Sequence, residues 1–193
     1  TYRHDDGTLN SAVSWPHAHL AWLASHEVRP GHEIVTSVQV AWGSMPPGSP
    51  AKVALWRDPN GDGDPADAVP LMEMETTSSE EFTGSLVEVD VPDTWVGPVG
   101  SRFFVGVYGT FGSSWLPIAV DTDTTLASQR SYLVASDAPI QSDDLLSGAA
   151  VSGVIGDGDW MVRAVSCPGG HCGESVDVDY SGQPDECEPS DCN

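Results

Sequence analysis

Two short stretches of the chain carry oxygen-bearing side chains at regular intervals. The first is DVDYSGQPDECE, from Asp177 to Glu188. A calcium loop of the EF-hand type needs oxygen ligands at positions 1, 3, 5, 9 and 12, a backbone carbonyl at position 7 and glycine at position 6. Gly182 holds the sixth position, and the ligand positions hold Asp177, Asp179, Ser181, Gln183 by its carbonyl, Asp185 and Glu188. We therefore predict a Ca²⁺ site here, against the alternative of a solvated acidic segment.

The second stretch is DPNGDGDPADA, residues 58 to 68, which contains four carboxylates. In the same loop pattern, positions 1, 3, 5 and 7 hold Asp58, Asn60, Asp62 and Asp64, and Gly63 holds position 6. Position 12 is Val69, which offers no carboxylate, so Asp67 is the candidate to replace it. Because the carboxylates repel one another without a cation, the pattern favours a second Ca²⁺ site. The alternative is a tight hairpin in which Asp and Asn bond to their own backbone.

Short strands separated by turns must position these loops. Apolar and polar residues alternate in IVTSVQVAW, AKVALWR, VEVDV, RFFVGVYG and DWMVRAV, and Gly, Pro, Asp or Ser bounds each segment. This period of two predicts β-strands. Weaker strands are expected at 71–75, 115–120 and 131–135, and residues 18–24 fit either a strand or one short helix.

The strand pattern predicts an all-β fold. Roughly eight short strands without βαβ alternation describe an antiparallel β-sandwich, most simply a jelly roll, with an immunoglobulin-like sandwich as the alternative. From Ser166 onward the chain has almost no apolar residues and contains all four cysteines. We therefore predict a sandwich domain over residues 1–165 and a disulfide-stapled acidic appendage over 166–193.

The cysteines form two pairs of the same spacing, C-x4-C: Cys167 with Cys172, and Cys187 with Cys192. An even number of cysteines in a segment too small for a core predicts disulfides and an oxidising compartment. Zinc is the competing use, although structural zinc sites favour C-x2-C spacing. Three pairings are open, and short intervals close easily, which favours 167 with 172 and 187 with 192.

Two parts of the chain resemble known families. The 177–188 loop resembles the calcium loops of thrombospondin type 3 repeats and dockerins, although Ser181 replaces the usual Asp or Asn and no helical pattern flanks it. The order of IVTSVQVAW, ALWRDPNGDGDPADA, RFFVGVYG and GDWMVRA is similar to a diffuse group of secreted bacterial β-sandwich modules, over most of residues 30–165. That resemblance implies an extracellular, non-catalytic module and transfers no catalytic residue.

Three further pairs have the i, i+2 spacing that puts two side chains on one face of a strand: Asp121 with Asp123, Asp157 with Asp159, and His17 with His19. Each Asp pair could chelate one ion, with exposed turn acids as the alternative. The His pair could hold a transition metal, with a structural or surface role as the alternative.

Seven tryptophans are many for 193 residues. Trp42, Trp56 and Trp160 fall in predicted strands and are expected in the core. Trp95 and Trp115 lie beside Gly- and Pro-containing loops. They are the candidates for an exposed ring that stacks on a glycan or contacts another subunit.

The charge of the chain limits its partners. There are 29 acidic against 7 basic residues, for a net charge of -22. Such a charge repels nucleic-acid phosphates and anionic lipid headgroups, so we expect no binding to either. No apolar run approaches the roughly 18 to 20 residues that cross a bilayer, so we expect no membrane insertion.

No sequence motif predicts an enzyme, because G-x-S-x-G, H-E-x-x-H and a phosphate-cradling loop are all absent. We expect a secreted or cell-surface Ca²⁺-binding structural protein that self-associates into a surface, matrix or filament assembly. The alternative is a calcium-stabilised carbohydrate-binding module whose partner is a polysaccharide.

Overall fold

The computed structural model describes residues 1–79, 82–122, 130–146, 149–154 and 158–167. Its strands are β1 Ser11–Val13, β2 His19–Glu27, β3 Ile34–Ser44, β4 Pro50–Asp58, β5 Val69–Thr77, β6 Leu86–Trp95, β7 Arg102–Thr110, β8 Leu116–Asp121, β9 Ser131–Ser136, β10 Ala149–Val154, β11 Asp159–Trp160 and β12 Val162–Ser166. A 3-10 helix spans Pro65–Asp67. Within the described ranges, no helix is both long and apolar enough to span a membrane.

The strands form two antiparallel sheets that pack as a sandwich. One sheet, here called the β2 sheet, has the order β10-β9-β2-β7-β4-β5. The other, the β3 sheet, contains β1, β3, β6, β8, β11 and β12. In it, β3 pairs with β6 and β12 along most of its length and with β8 at its end. The predicted all-β sandwich is confirmed, and the ambiguous segment 18–24 belongs to strand β2.

The main core lies between the two sheets. It combines alternate residues of the β2 sheet, such as Trp22 and Val53, with alternate residues of the β3 sheet, such as Val40 and Trp42. The rings of Trp22 and Trp42 meet edge to face, with their centroids 6.1 Å apart. This alternation explains why the period-two segments of the sequence form strands.

A second apolar cluster covers the outer face of the β2 sheet. The strand residues between those of the main core, such as Leu23 and Trp56, face the other side of the sheet. They contact Ile140 and Leu145 from the segment after β9. Trp56 also donates its indole N–H to the carbonyl of Ser142, at 2.8 Å. Strand β2 is therefore buried on both faces, and eight of its nine residues are not exposed.

The N-terminal segment runs along the β3 sheet and is attached at several points. Tyr2 exchanges two backbone hydrogen bonds with Ala164 of β12, and its ring is buried. The backbone N–H of Asp6 donates to the Asp121 carboxylate at 2.7 Å. Strand β1 then pairs with β8. The first thirteen residues thus add to the sheet, although their sequence shows no strand period.

Candidate metal site

The acidic loop 58–68 connects two adjacent strands of the β2 sheet. Asp58 is the last residue of β4, and Val69 is the first residue of β5. The 3-10 helix Pro65–Asp67 lies between them, and the Asp64 carboxylate accepts a hydrogen bond from the Ala66 N–H at 2.9 Å. The two paired strands therefore hold both ends of the loop in place.

Asp58 is the buried centre of this loop, with 3% of its surface exposed. Its two carboxylate oxygens accept hydrogen bonds from the N–H groups of Gly61 and Gly63, at 2.7 and 2.8 Å. Gly63, at the sixth loop position, has a φ of +82°, which a residue with a Cβ rarely adopts. Glycine at this position thus turns the chain around the Asp58 carboxylate.

The side chains of the loop also bond to the backbone two residues ahead. The N–H of Asp62 donates to Asn60 Oδ1 at 2.9 Å, and the N–H of Asp64 donates to Asp62 Oδ1 at 2.7 Å. These are the local hydrogen bonds of the Asx-rich hairpin that the sequence offered as the alternative. They do not consume the ligand capacity of the loop, because each carboxylate has about four lone-pair sites.

Three carboxylates converge in this loop. One oxygen each of Asp58, Asp62 and Asp67 lies within 4.8 Å of the other two, which is close enough to hold one metal ion. Asp67 is the residue that the sequence suggested in place of the missing ligand at Val69. The three residues come together because the 3-10 helix turns Asp67 back toward the start of the loop.

The negative charges of the loop affect the pKa of the Asp67 carboxyl. Partial loss of hydration, followed by the negative charges of Asp62, Asp58 and Asp64, raises the pKa of the Asp67 carboxyl above its usual value. The Arg102 guanidinium lies close to the loop, since a Cβ on Gly63 would lie 3.6 Å from its Nη1. The loop itself contains four carboxylates and no basic residue, so it carries an excess of negative charge.

These features suit a hard divalent cation. Ca²⁺ takes oxygen ligands from carboxylates, carbonyls and waters in a flexible geometry, whereas Mg²⁺ demands a near-ideal octahedron. Structural zinc sites are built from Cys and His ligands, and the group of Asp58, Asp62 and Asp67 offers oxygen alone. The oxygen-only ligand set of the loop is therefore compatible with a hard divalent cation.

The C-terminal loop lies outside the described residues. This applies to all six of its predicted ligands and to Cys172, Cys187 and Cys192. Cys167 is buried just after β12. The tail Ca²⁺ site and the cysteine pairing stay predictions.

One member of each predicted Asp pair lies within the described residues. Asp121 and Asp159 face each other across β8 and β11, and both are fully buried. The Ser131 hydroxyl donates to Asp159 at 3.2 Å. Asp123 and Asp157, the other members of the pairs, lie outside the described residues. The structure thus brings together one member from each pair, and these two acids are not exposed turn residues.

His17 and His19 have separate partners. The His17 Nδ1–H donates to the Asp137 carboxylate at 2.7 Å, and His19 Nδ1 is hydrogen-bonded to Thr110 Oγ1 at 2.9 Å. The described residues therefore favour a structural role for both over a shared transition metal.

The tryptophans divide as the strand pattern suggested, with one difference. Trp42, Trp56 and Trp160 are buried, as predicted for core residues. Trp95 is 54% exposed at the end of β6. Trp115 is only partly exposed, because its ring packs against the main core and close to Gly112. Trp95 is therefore the better candidate of the two for contact with a partner.

One polar cluster was not found from the sequence. Lys52 donates to Glu73 Oε1 at 2.8 Å, and the Tyr108 hydroxyl donates to the other oxygen of the same carboxylate. The only signal available was that Lys52 is the single lysine of the chain. The three side chains meet because β5, β4 and β7 are neighbours in the sheet, which local spacing does not reveal.

No protein-family model, curated protein or solved structure matches this chain. Its function must therefore be inferred from its own residues, and the acidic loop 58–68 is the feature with the most definite chemistry.

Proposed function

We propose that this chain is an extracellular structural module that binds Ca²⁺ through the loop between β4 and β5. The observation that carries this proposal is the convergence of Asp58, Asp62 and Asp67 within 4.8 Å. A bound cation would offset their mutual repulsion, which adds to the effect of partial desolvation in raising the pKa of Asp67. The second Ca²⁺ loop, at 177–188, and the disulfides of the appendage belong to the same proposal.

The role of the cation in this proposal is structural. The loop joins β4 to β5, and β5 is the last strand of its sheet in the described residues. Ca²⁺ would hold the loop closed and so keep β5 aligned with β4. A ligand that binds the folded chain stabilises it by RT ln(1 + [L]/Kd), about 2.7 kcal/mol at a hundredfold excess over Kd.

Calorimetric titration of the full chain with Ca²⁺ tests the site. Asp62→Asn should remove one class of binding site, because the amide keeps the shape of the carboxylate but not its charge. Asp93→Asn, an exposed position on β6, is the matched control and should bind as wild type does. The double variant Asp177→Asn, Asp179→Asn separates the tail loop from this one. Unchanged stoichiometry and affinity in Asp62→Asn would overturn the assignment.

We further propose that the module associates with copies of itself. Trp95, the last residue of β6, and Val99, which follows that strand, both have more than half of their surface exposed. Exposed aromatic and aliphatic groups are typical anchors of protein contacts. At a net charge of -22 the copies repel one another, and bound Ca²⁺ would weaken that repulsion.

Light scattering with Ca²⁺ and with EDTA tests the association. The mass should rise with Ca²⁺ and fall with EDTA. Trp95→Ser should abolish the rise, whereas Trp15→Ser, a less exposed tryptophan, should keep it. A monomer under both conditions would contradict self-association while leaving the Ca²⁺ site untouched.

A further inference from the structure

A groove lies on the outer face of the β2 sheet, where β4 begins and where β5 and β7 end. Its volume is about 680 Å³, within the range of roughly 300–1,000 Å³ that is typical of ligand pockets. The strands contribute Lys52, Glu75 and Thr110, and the segment after β9 contributes a wall at 139–141. None of the residues of the acidic loop 58–68 lines this groove, so it is a separate feature.

The ammonium group of the groove is already paired. Lys52 stands opposite Glu75 in the strand register, but its Nζ reaches to Glu73 instead, at 2.8 Å. The Tyr108 hydroxyl bonds to the same Glu73 carboxylate. The hydrogen bond from Lys52, together with those from Ser142 and Tyr108, lowers the pKa of Glu73 to about 2. Glu73 and Lys52 therefore form an ion pair beside the groove, to whose lining Lys52 contributes.

This pairing leaves Glu75 available to a ligand. Within the described part of the chain, the Glu75 carboxylate makes no hydrogen bond or ion pair, and it is exposed on the groove wall. Gln141 adds an amide, and Thr110 adds a hydroxyl that is hydrogen-bonded to His19 Nδ1 and keeps further hydrogen-bonding capacity. Pro139 and Ile140 add an apolar strip to the lining, in which Pro139 is exposed and Ile140 is 6% exposed.

The charge and polarity of the groove exclude two ligand classes. An anion would meet an uncompensated carboxylate, and the only lysine is already bound to Glu73. A lipid chain would bury the polar groups of Glu75, Thr110 and Gln141 without partners. A ligand with many hydroxyl groups and an apolar C–H face avoids both problems. Its hydroxyl groups can bond to the polar side chains, and its C–H face can contact the apolar residues.

We propose that this groove binds a saccharide unit that is neutral or carries an amine. Glu75 accepts hydrogen bonds from its hydroxyl or ammonium groups, Thr110 and Gln141 bond to further hydroxyls, and the strip at Pro139 and Ile140 covers its C–H face. The site does not depend on the acidic loop and does not use an exposed tryptophan.

Three oligosaccharides of equal length test the ligand class on the full chain by calorimetry: a neutral glucose hexamer, a glucosamine hexamer and a hexamer of an anionic uronic acid. We expect the glucosamine or the glucose hexamer to bind and the uronic acid hexamer to bind at least about tenfold more weakly. If the glucosamine hexamer binds more tightly than the glucose hexamer, the ligand group that contacts Glu75 is an ammonium. If the two bind equally, that group is a hydroxyl. Absence of binding by all three, or preference for the uronic acid hexamer, would overturn the proposal.

Matched variants test the location. Glu75→Gln should weaken the glucosamine hexamer about tenfold, because it removes a charge-assisted hydrogen bond. Asp93→Asn removes the same charge from the other sheet and should have no effect. Trp95→Ala should bind normally, since that ring lies on β6. Full binding by Glu75→Gln, or loss of binding in Trp95→Ala, would refute the groove. Asp62→Asn should retain binding, so that failure of the Ca²⁺ site is distinguished from failure of this one.

Discussion

Asp5 and Arg163 form a buried ion pair although 158 positions separate them in the chain. The Arg163 Nε–H lies 3.1 Å from both oxygens of the Asp5 carboxylate, and its Nη2 also donates to Asp5. Asp5 is 2% exposed and Arg163 7% exposed. Together with the Tyr2–Ala164 bridge, this pair attaches the N-terminal segment to β12.

Removal of the Asp5 carboxylate should leave Arg163 charged and buried without a counter-ion. We expect Asp5→Ala to lower the free energy of unfolding by about 3–5 kcal/mol, as is typical when one partner of a buried pair is removed. Urea unfolding followed by tryptophan fluorescence measures this loss. Asp93→Ala, at an exposed position on β6, should leave the midpoint nearly unchanged. A loss of only about 0.5 kcal/mol in Asp5→Ala, as for a surface substitution, would contradict the expectation.

Gly63 should matter both for stability and for the cation. Its φ of +82° makes Gly63→Ala cost about 1–2 kcal/mol of unfolding free energy. Because Gly63 N–H also orients the Asp58 carboxylate, the same variant should weaken Ca²⁺ binding. Gly48 is a matched control, since its φ is +80° and nothing lies within 4 Å of an added Cβ. Gly48→Ala should lose similar stability and keep full Ca²⁺ affinity, and equal weakening in both variants would argue against a local effect.

The pH dependence of Ca²⁺ binding follows from Asp67. Its folded-state pKa is raised above 3.8 by partial desolvation and by the neighbouring carboxylates. As the pH falls, Asp67 is therefore protonated before ordinary aspartates, and Ca²⁺ must displace that proton. Calorimetry in a series of acidic buffers should show affinity falling at a higher pH than for Asp67→Asn, which lacks this titration. Identical pH profiles for the two proteins would exclude Asp67 from the site.

His26 should make the fold sensitive to mild acid. Its ring is fully buried and stacks on His4 at 4.2 Å, and burial, followed by the charges of His4, Arg130 and Arg29, holds its pKa well below 6.5. Because the unfolded chain binds this proton and the folded chain does not, stability is complete above pH 6.5 and is lost as the pH falls below it.

Below pH 6.5, the free energy of unfolding should decline by up to about 1.4 kcal/mol per pH unit for the uptake of one proton. Thermal unfolding of wild type and His26→Phe across mildly acidic pH measures it. The Phe variant should show a shallower decline, because its ring fits the aromatic contacts with Tyr2 and Phe103 and binds no proton. His17→Asn, near the surface, should decline as wild type does. A slope unchanged by His26→Phe would place the acid sensitivity elsewhere.

Much of the fold was predictable because the period of two was visible where one face of a strand meets the core. β3, β6 and β12 follow that rule, and the three weaker candidates at 71–75, 115–120 and 131–135 lie within or overlap observed strands. β2 was ambiguous because the segment after β9 covers its outer face. Burial on both faces replaces alternation with a continuous apolar run, which a strand and a short helix share.

The candidate metal site was predictable in its ligands but not in its geometry. The roles of Asp58, Asp62 and Gly63 could be predicted from the loop spacing, because all three lie within one segment of a dozen residues. The role of Asp67 depended on the 3-10 helix, whose start is set by Asp64 and Pro65. The polar cluster of Lys52, Glu73 and Tyr108 had no such signal.

The sequence by itself determined the all-β class, the positions of most strands and the composition of the acidic loop, because each of these depends on residues that are close in the chain. Tertiary structure alone decided the Asp5–Arg163 pair, the opposition of Asp121 and Asp159 and the groove at Glu75. The physical reason is that strand order and register join residues far apart in the chain, and no local period encodes which strand becomes the neighbour of another.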